Sequence, residues 1–325
     1  MKIIPLQQRG IAASRVIMGC MPFGGGWNRD PLLAEDVLKA EKALDTAMSI
    51  GISMVDHANI YTMGKAEEAF GRILKNRPEL REQLVIQTKC GIRFGEGDVP
   101  GRFDFSQEHI LESVDASLSR LNVDYLDVLL LHRPDPLMEP EEVAEAFGKL
   151  KASGKVRYFG VSNMSAAQIR FLQSALPEPL VVNQLEMSLA KLDWLDQGVH
   201  VNQQSGVNVN FSEGLMEYCQ MEKVQIQAWA PLAQGRFTGR SVEGEPANIQ
   251  ATAAMVQRMV AEKGTTPEAI VLGWLMRHPA GIQPVIGSSN VERILATKDA
   301  ERQAQLMTRE EWYSLYVSSR GVNMP

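Results

Sequence analysis

The stretch Asp56-His57-Ala58-Asn59-Ile60-Tyr61-Thr62-Met63-Gly64-Lys65 sets an acid, a phenol and an amine close together. A phenol beside an ammonium makes a proton-delivery pair, because the positive charge stabilises the phenolate left behind. Tyr61 has two kinds of lysine to choose from. Lys65 lies four residues on and would face it across one helical turn. A more distant lysine would have to be brought in by the fold, so the choice depends on the elements that carry these side chains.

Short apolar runs alternate with longer stretches of helical period. The runs predict strands at Arg15–Met18, Ser53–Val55, Leu84–Thr88, Asp127–Leu131, Arg157–Val161, Leu180–Val182, Gln225–Trp229 and Gln283–Ile286. Between two of them, Ile110, Leu111, Val114, Leu118 and Leu121 fall on one helical face, with Ser106 placed to cap its start. Ser165 with Gln168, and Thr308 with Glu311, have capping-box spacing, and Thr266-Pro267 opens a further helix. Eight strands, each followed by a helix, in 325 residues suggest an α/β fold of the (β/α)8 TIM-barrel type, which typically takes ~250 residues. A doubly wound sheet is the competing architecture. No linker or repeat divides the chain, so one domain over 1–325 is expected. Residues 190–212, rich in Asn and Gln, read as a long loop or insertion.

Polar groups gather at the C-terminal ends of the predicted strands. Asp56 follows the second, Lys89 the third, His132 the fourth and Ser162-Asn163 the fifth. Gln184 follows the sixth, Trp229 ends the seventh, and Gly287-Ser288 follow the eighth. Any one of these has an ordinary structural explanation. In a barrel, however, all of them stand on the rim where active sites are built.

Other chemistries find less support. Thirty-three basic against thirty-nine acidic residues give a net charge of −6, which argues against a nucleic-acid surface. No run reaches the ~18–20 apolar residues of a membrane span. The N-terminal residues lack a signal-peptide core, and three cysteines show no metal-like spacing, so a reducing cytoplasm is the expected setting. The five histidines are dispersed, without the paired spacing of a zinc site, and no metal is expected. Gly160-Val-Ser-Asn-Met164 lacks the second glycine of a hydrolase nucleophile elbow. Tyr61 with Lys65 has the spacing of short-chain dehydrogenases, but Tyr61 comes too early in the chain for that architecture, and Gly64 weakens the helix it needs. Phe23-Gly24-Gly25-Gly26 then reads as a flexible loop after the first strand.

Taken together, MGCMPFGG, VDHANIY, VIQTKCG, DVLLLHRPDP, GKVRYFGVSN, VVNQLEMS, QAWAPLAQGR and PVIGSSNVERI make the chain resemble the aldo-keto reductases over nearly its whole length. HRPDPLM and DHANIY resemble a bacterial branch of oxidoreductases whose physiological substrates are poorly defined. The resemblance implies a catalytic tetrad of Asp56, Tyr61, Lys89 and His132. Tyr61 would be the proton donor, made more acidic by Lys89, itself held by Asp56, while His132 orients the carbonyl. Lys65 would then be an exposed helix residue.

The same resemblance implies NADPH as cofactor. Ser162, Asn163 and Gln184 would hold the nicotinamide carboxamide, with Trp229 stacked on the ring. Ala230, Pro231, Leu232, Gln234, Gly235 and Arg236 would cover the pyrophosphate, and Gly287, Ser288, Ser289 and Arg293 would surround the adenosine phosphate. Departures are visible. His57 stands where a small residue is commoner, which would narrow the pocket. Gly287 replaces a common lysine, leaving Arg293 and the serines to select NADP over NAD. Lys298 and its neighbours do not match the usual adenine contacts.

The expected reading is a monomeric or weakly associating NADPH-dependent carbonyl reductase. Phe23, Trp27, Met63, Phe94, Arg133 and Met164 are the expected substrate contacts, permitting aldehydes, ketones or a pyridoxal-like phosphate ester. The alternative is a redox-responsive binding partner resembling potassium-channel β subunits, which share this fold and cofactor.

Overall fold

Strand ladders in this chain are short, and all eight long ones run parallel. In the computed structural model, which describes residues 3–325, the strands are β1 (Ile17–Gly19), β2 (Met54–Asp56), β3 (Val85–Cys90), β4 (Ile92–Arg93), β5 (Arg102–Phe103), β6 (Leu126–Leu131), β7 (Val156–Ser162), β8 (Val182–Glu186), β9 (Gln225–Trp229) and β10 (Gln283–Ile286). β4 and β5 form a small antiparallel hairpin outside the main sheet. The other eight close into a barrel in the order β1-β10-β9-β8-β7-β6-β3-β2. Closure excludes the doubly wound alternative and confirms the (β/α)8 expectation.

Two apolar layers hold the barrel. One lies inside it, where Ile17, Met54, Val85, Val128, Leu130, Val182 and Val285 meet Leu6 of the short helix Pro5–Gln8. The other lies between the strands and the surrounding helices. Helix Gln107–Leu121 shows how the sequence directs it, since Ser106 caps the start by accepting from His109 N, and Ile110, Val114, Leu118 and Leu121 are buried. The capping boxes at Ser165/Gln168 and Thr308/Glu311 both form, and Thr266 caps the helix Pro267–Arg277. No helix among the described residues is long and apolar enough to cross a membrane.

Three expectations need correction. The sixth strand runs Val182–Glu186, not Leu180–Val182, because its polar residues are satisfied inside the fold: Asn183 Nδ2 donates to Met164 O at 2.9 Å. Residues 190–212 are not featureless. They hold helix Asp193–Val199 and a 3-10 turn, Gln204–Asn208. Trp194 is buried edge-on against Trp274 at 5.8 Å, and Asp196 pairs with Arg320 at 3.0 Å, so this insertion is fastened to the C-terminal part of the chain. Finally, the glycines after β1 are not slack. Gly24 has φ +83°, and a Cβ there would lie 2.5 Å from the Lys65 carbonyl carbon, a packing only glycine allows.

Candidate active site

Alternation along the strands decides which side chains enter the barrel. Gln87 and Lys89 share one face of β3, and Asp56 is the register partner of Gln87 on β2. Lys89 is therefore aimed inward at the carboxylate end of β2. It is 1 % exposed, a position an ammonium holds only when its hydrogens are matched. All three have partners: Nζ donates to Asp56 Oδ2 at 2.7 Å, His57 O at 2.9 Å and Tyr61 Oη at 2.9 Å. The His132 ring meets Tyr61 edge-on, with 6.0 Å between centroids. Asp56, Tyr61, Lys89 and His132 thus converge at one barrel mouth.

Electrostatics at this cluster depart from the simplest expectation. Burial pushes the Tyr61 phenol above its usual range, and Lys89 offsets this only in part. Burial also works against the Lys89 ammonium, but Asp56 and Tyr61 together outweigh it and the net shift is upward. His132 is lowered to about 2 by burial and by the charges of Lys89 and Arg133, so its ring is neutral near pH 7.

The loop carrying Tyr61 is bent. Thr62 and Met63 have φ of 47° and 61°, a region that is a genuine outlier for a β-branched residue. Thr62 Oγ1 donates to Phe23 O at 2.9 Å, tying this loop to the one after β1. Asn163, Ala230, Ala233 and Gln234 also have positive φ. Such strain gathers where the surrounding fold fixes functional groups.

A cleft of about 530 Å³ runs from Asp56, Tyr61 and His132 past Ser162, Asn163, Gln184 and Trp229. It continues along Ala230, Pro231, Leu232, Gln234 and Gly235 to Gly287, Ser288 and Arg293. Its middle is built stiffly. Trp229 Nε1 donates to Asn163 Oδ1 at 3.1 Å, Asn163 Nδ2 to Ser162 Oγ at 2.7 Å, and Ser162 Oγ to Gln184 O at 2.9 Å. At the far end, a Cβ on Gly287 would meet nothing within 4 Å. A long dinucleotide fits this donor set: amide and hydroxyl groups beside an indole face, then open backbone and a guanidinium.

Other expected residues lie elsewhere. Arg236 and Ser289 are not among the residues lining the cleft, and Arg236 is paired with Glu245 at 3.2 Å. Of the six expected substrate contacts, Arg133 lines the cleft, its guanidinium 5.7 Å from the Trp229 ring centre. Trp27 stands half exposed at the mouth, edge-on to Tyr61 at 6.5 Å. Met63 and Phe94 line a neighbouring polar cleft of about 670 Å³. Phe23 and Met164 are buried in the core and line neither. His57 does not narrow the pocket. It is wholly buried, turned away from the cleft, and packs edge-on against Phe70 at 4.7 Å. Lys65 is not an exposed helix residue either: it is 8 % exposed, with Nζ bonded to Asn28 Oδ1 at 2.7 Å.

Met21, Thr238, Glu268 and Thr297 also line the cleft and were not anticipated. The helix start at Thr266-Pro267 places Glu268 in a first turn, but only the closed barrel turns that end toward the cleft. Burial pushes the Glu268 carboxyl upward, with Arg293 opposing.

The family model described as the Aldo/keto reductase family matches residues 15–313. An uncharacterised oxidoreductase, YcsN, of Bacillus subtilis is 38% identical over 279 residues, covering 85% of this chain and 86% of that protein. A 6-dehydroglucose reductase of Agrobacterium fabrum is 36% identical over 313 residues, covering 95% of each. Among solved structures, an aldo-keto reductase from Klebsiella pneumoniae in complex with NADPH superposes with a TM-score of 0.70 at 23% identity, covering 93% of this chain and 90% of that one.

Proposed function

This chain belongs to the aldo/keto reductase family, and we propose that it is an NADPH-dependent reductase of aldehyde or ketone carbonyls in which Tyr61 delivers the proton. The observation that carries this reading is the contact of Lys89 Nζ with Tyr61 Oη and Asp56 Oδ2 at the floor of a long cleft. The cofactor, when bound, supplies the hydride. Everything else in the reaction falls to the protein.

Reducing a carbonyl needs an acid at the oxygen. Tyr61 is protonated at neutral pH, and its burial beside an ammonium lets proton transfer leave a phenolate that is already paired. The neutral His132 ring lies beside the phenol, where its cleft-facing nitrogen can donate to the same carbonyl oxygen and fix its approach. Asp56 holds the ammonium in place. Ser162, Asn163 and Gln184 would hold the nicotinamide carboxamide and Trp229 its ring face, while Ser288 and Arg293 would take the adenosine phosphates. Arg133 at the cleft wall supports a substrate with a polar or anionic substituent near its carbonyl.

The test is a cofactor-monitored screen of aldehydes, ketones, quinones, pyridoxal and, because of the name of the Agrobacterium relative, 6-dehydroglucose. Oxidation of NADPH dependent on one of these carbonyls and lost in Tyr61→Phe is the expected result. Tight NADPH binding with no turnover across the panel would favour the redox-responsive binding partner instead.

A further inference from the structure

The interior of a (β/α)8 barrel is usually filled by branched apolar side chains. Here one layer is made of amides. Gln87, Gln184, Gln227 and Gln283 are all buried, and Gln184, Gln227 and Gln283 are register partners on three adjacent strands. A buried amide layer is costly unless its groups are matched. The hydrogen bonds run as follows: Gln87 Nε2 donates to Asp56 Oδ1 at 2.6 Å and to Gln227 Oε1 at 2.8 Å. Gln184 Nε2 donates to the same two oxygens, at 3.1 Å and 3.0 Å. Gln227 Nε2 returns to Gln87 Oε1 at 3.1 Å and passes on to Gln283 Oε1 at 3.2 Å. Gln283 Nε2 ends the chain on Ser14 O at 2.5 Å.

The network has one direction, and Asp56 sets it. A carboxylate only accepts, so Gln87 and Gln184 must turn their nitrogens toward it. Each then has a second N–H to place, and Gln227 Oε1 takes both. With its oxygen so occupied, Gln227 must send its own nitrogen to Gln87 and Gln283. We infer that Gln227 is a positioning residue: through Gln87 and Gln184 it fixes the two donors on Asp56 Oδ1, leaving Oδ2 to Lys89, and so joins the cofactor subsite at Gln184 to the proton-delivery side chains. Gln227 itself does not line the cleft. Its action passes through Asp56 to Lys89 and Tyr61, and through Gln184 to the nicotinamide end.

This inference rests on the proposed function, and a neighbour provides the control. Gln225 lies two residues earlier on the same strand and is equally buried, but its Nε2 donates to Ile226 O at 2.9 Å and Gly281 O at 2.8 Å, away from Asp56. Gln227→Glu keeps an acceptor for Gln87 and Gln184, loses the donor to Gln87 Oε1 and Gln283 Oε1, and, once ionised, sets a second negative charge beside Asp56. That charge weakens Tyr61 as an acid and favours the cationic oxidised nicotinamide over the reduced form. In Gln227→Glu, kcat for carbonyl reduction should step down below the pH range in which Tyr61 titrates. The ratio of the NADPH to the NADP+ dissociation constant, read by fluorescence titration, should rise about tenfold across the same step. Gln225→Glu should show neither change, whatever its effect on melting. Gln87→Met, which removes one donor from Asp56, should lower kcat and displace the high-pH limb even if Gln227→Glu does not fold. If Gln227→Glu and Gln225→Glu behave alike in both readouts, or if Gln227→Glu does not fold and Gln87→Met keeps the parent profile, the inference is overturned. A parent protein that neither binds NADPH nor reduces a carbonyl overturns the proposed function instead.

Discussion

Lys89 Nζ stands 2.9 Å from Tyr61 Oη across 28 residues of sequence, while Lys65, four residues from that tyrosine, gives its amine to Asn28. The distant lysine is therefore the one paired with the phenol. Tyr61→Phe keeps the ring and removes the proposed acid, and should cost about 10²–10⁴-fold in single-turnover oxidation of bound NADPH by an aldehyde. Lys89→Met should cost a similar factor, and the double variant little more, because both remove one proton-delivery unit. Lys89→Met also leaves Asp56 without its counter-charge, so it should lower the melting temperature more than Tyr61→Phe, which leaves one of the three ammonium hydrogens unmatched. Lys65→Met should destabilise, through the lost tie to the loop after β1, yet leave turnover in the folded protein near parent. Turnover abolished by Lys65→Met and kept by Lys89→Met would reverse the pairing.

A second expectation concerns pH. His132 is held near 2, far below the usual histidine range, and Tyr61 is raised above its ordinary value. With Tyr61 as the proposed proton donor, the phenol would act in its protonated form, so activity should be present below its pKa and lost as pH rises through it. The kcat of reduction should be flat from about pH 6 to about pH 9 and fall only above that. A step near pH 6.5 would show that His132 becomes charged and would remove it from the role of neutral donor.

The rim was legible in the sequence because barrel strands carry chemistry at a fixed end. Asp56, Lys89, His132, Gln184 and Trp229 each close a short apolar run, and the fold brings them together. What could not be read there was side-chain direction and tertiary cover. Lys65 looks solvent-facing from a helical pattern, but the loop after β1 folds over it, held by the close approach of Gly24. His57 follows Asp56 and looks like a pocket residue, but strand alternation turns it outward onto Phe70. Gln87, Gln227 and Gln283 read as ordinary polar residues in strands, and only the register shows that they join Gln184 in one network ending on Asp56.

The buried histidines make the fold acid-sensitive. His57, His132 and His278 are lowered to about 3, about 2 and about 4, mainly by burial. In the unfolded chain each takes up a proton near pH 6.5, while in the native state it does not. Below that pH the unfolded state binds more protons, so stability falls as pH drops from about 6.5 toward these lowered values. Each contributes a slope of about 1.4 kcal/mol per pH unit, so the three together contribute about 4 kcal/mol per pH unit. Neither ring nitrogen of His57 has a partner among the described residues, so His57→Leu removes two buried polar atoms that no hydrogen bond there offsets. It should reduce the acid slope by about 1.4 kcal/mol per pH unit in urea unfolding at a series of pH values, leaving stability at pH 8 unchanged or higher. A slope equal to the parent's would mean that His57 is protonated in the fold or does not titrate in the unfolded chain.

Cofactor choice should be set at the far end of the cleft. Arg293 and Ser288 line that end with Gly287, and Glu268 opposes them with a buried carboxyl. The 2′-phosphate is all that distinguishes NADPH from NADH, so selectivity is the charge balance around it. Arg293→Ala should weaken NADPH and leave NADH nearly unchanged, narrowing the gap by about tenfold or more, since a hydrogen bond to a charged group contributes about 1.5–3 kcal/mol. Gly287→Lys tests the same point by addition. The space beyond its Cβ is open, so the new side chain costs no packing, and its amine can reach a phosphate on that wall. NADPH should tighten about tenfold and NADH should not, with the gain shrinking at high salt as the charges are screened. Glu268→Gln should act in the same direction, because it removes a negative group that a phosphate would otherwise meet. Fluorescence titration of both cofactors in the three variants is the measurement. If Gly287→Lys tightened NADH as much as NADPH, the phosphate would lie elsewhere and Arg293 would not be its partner.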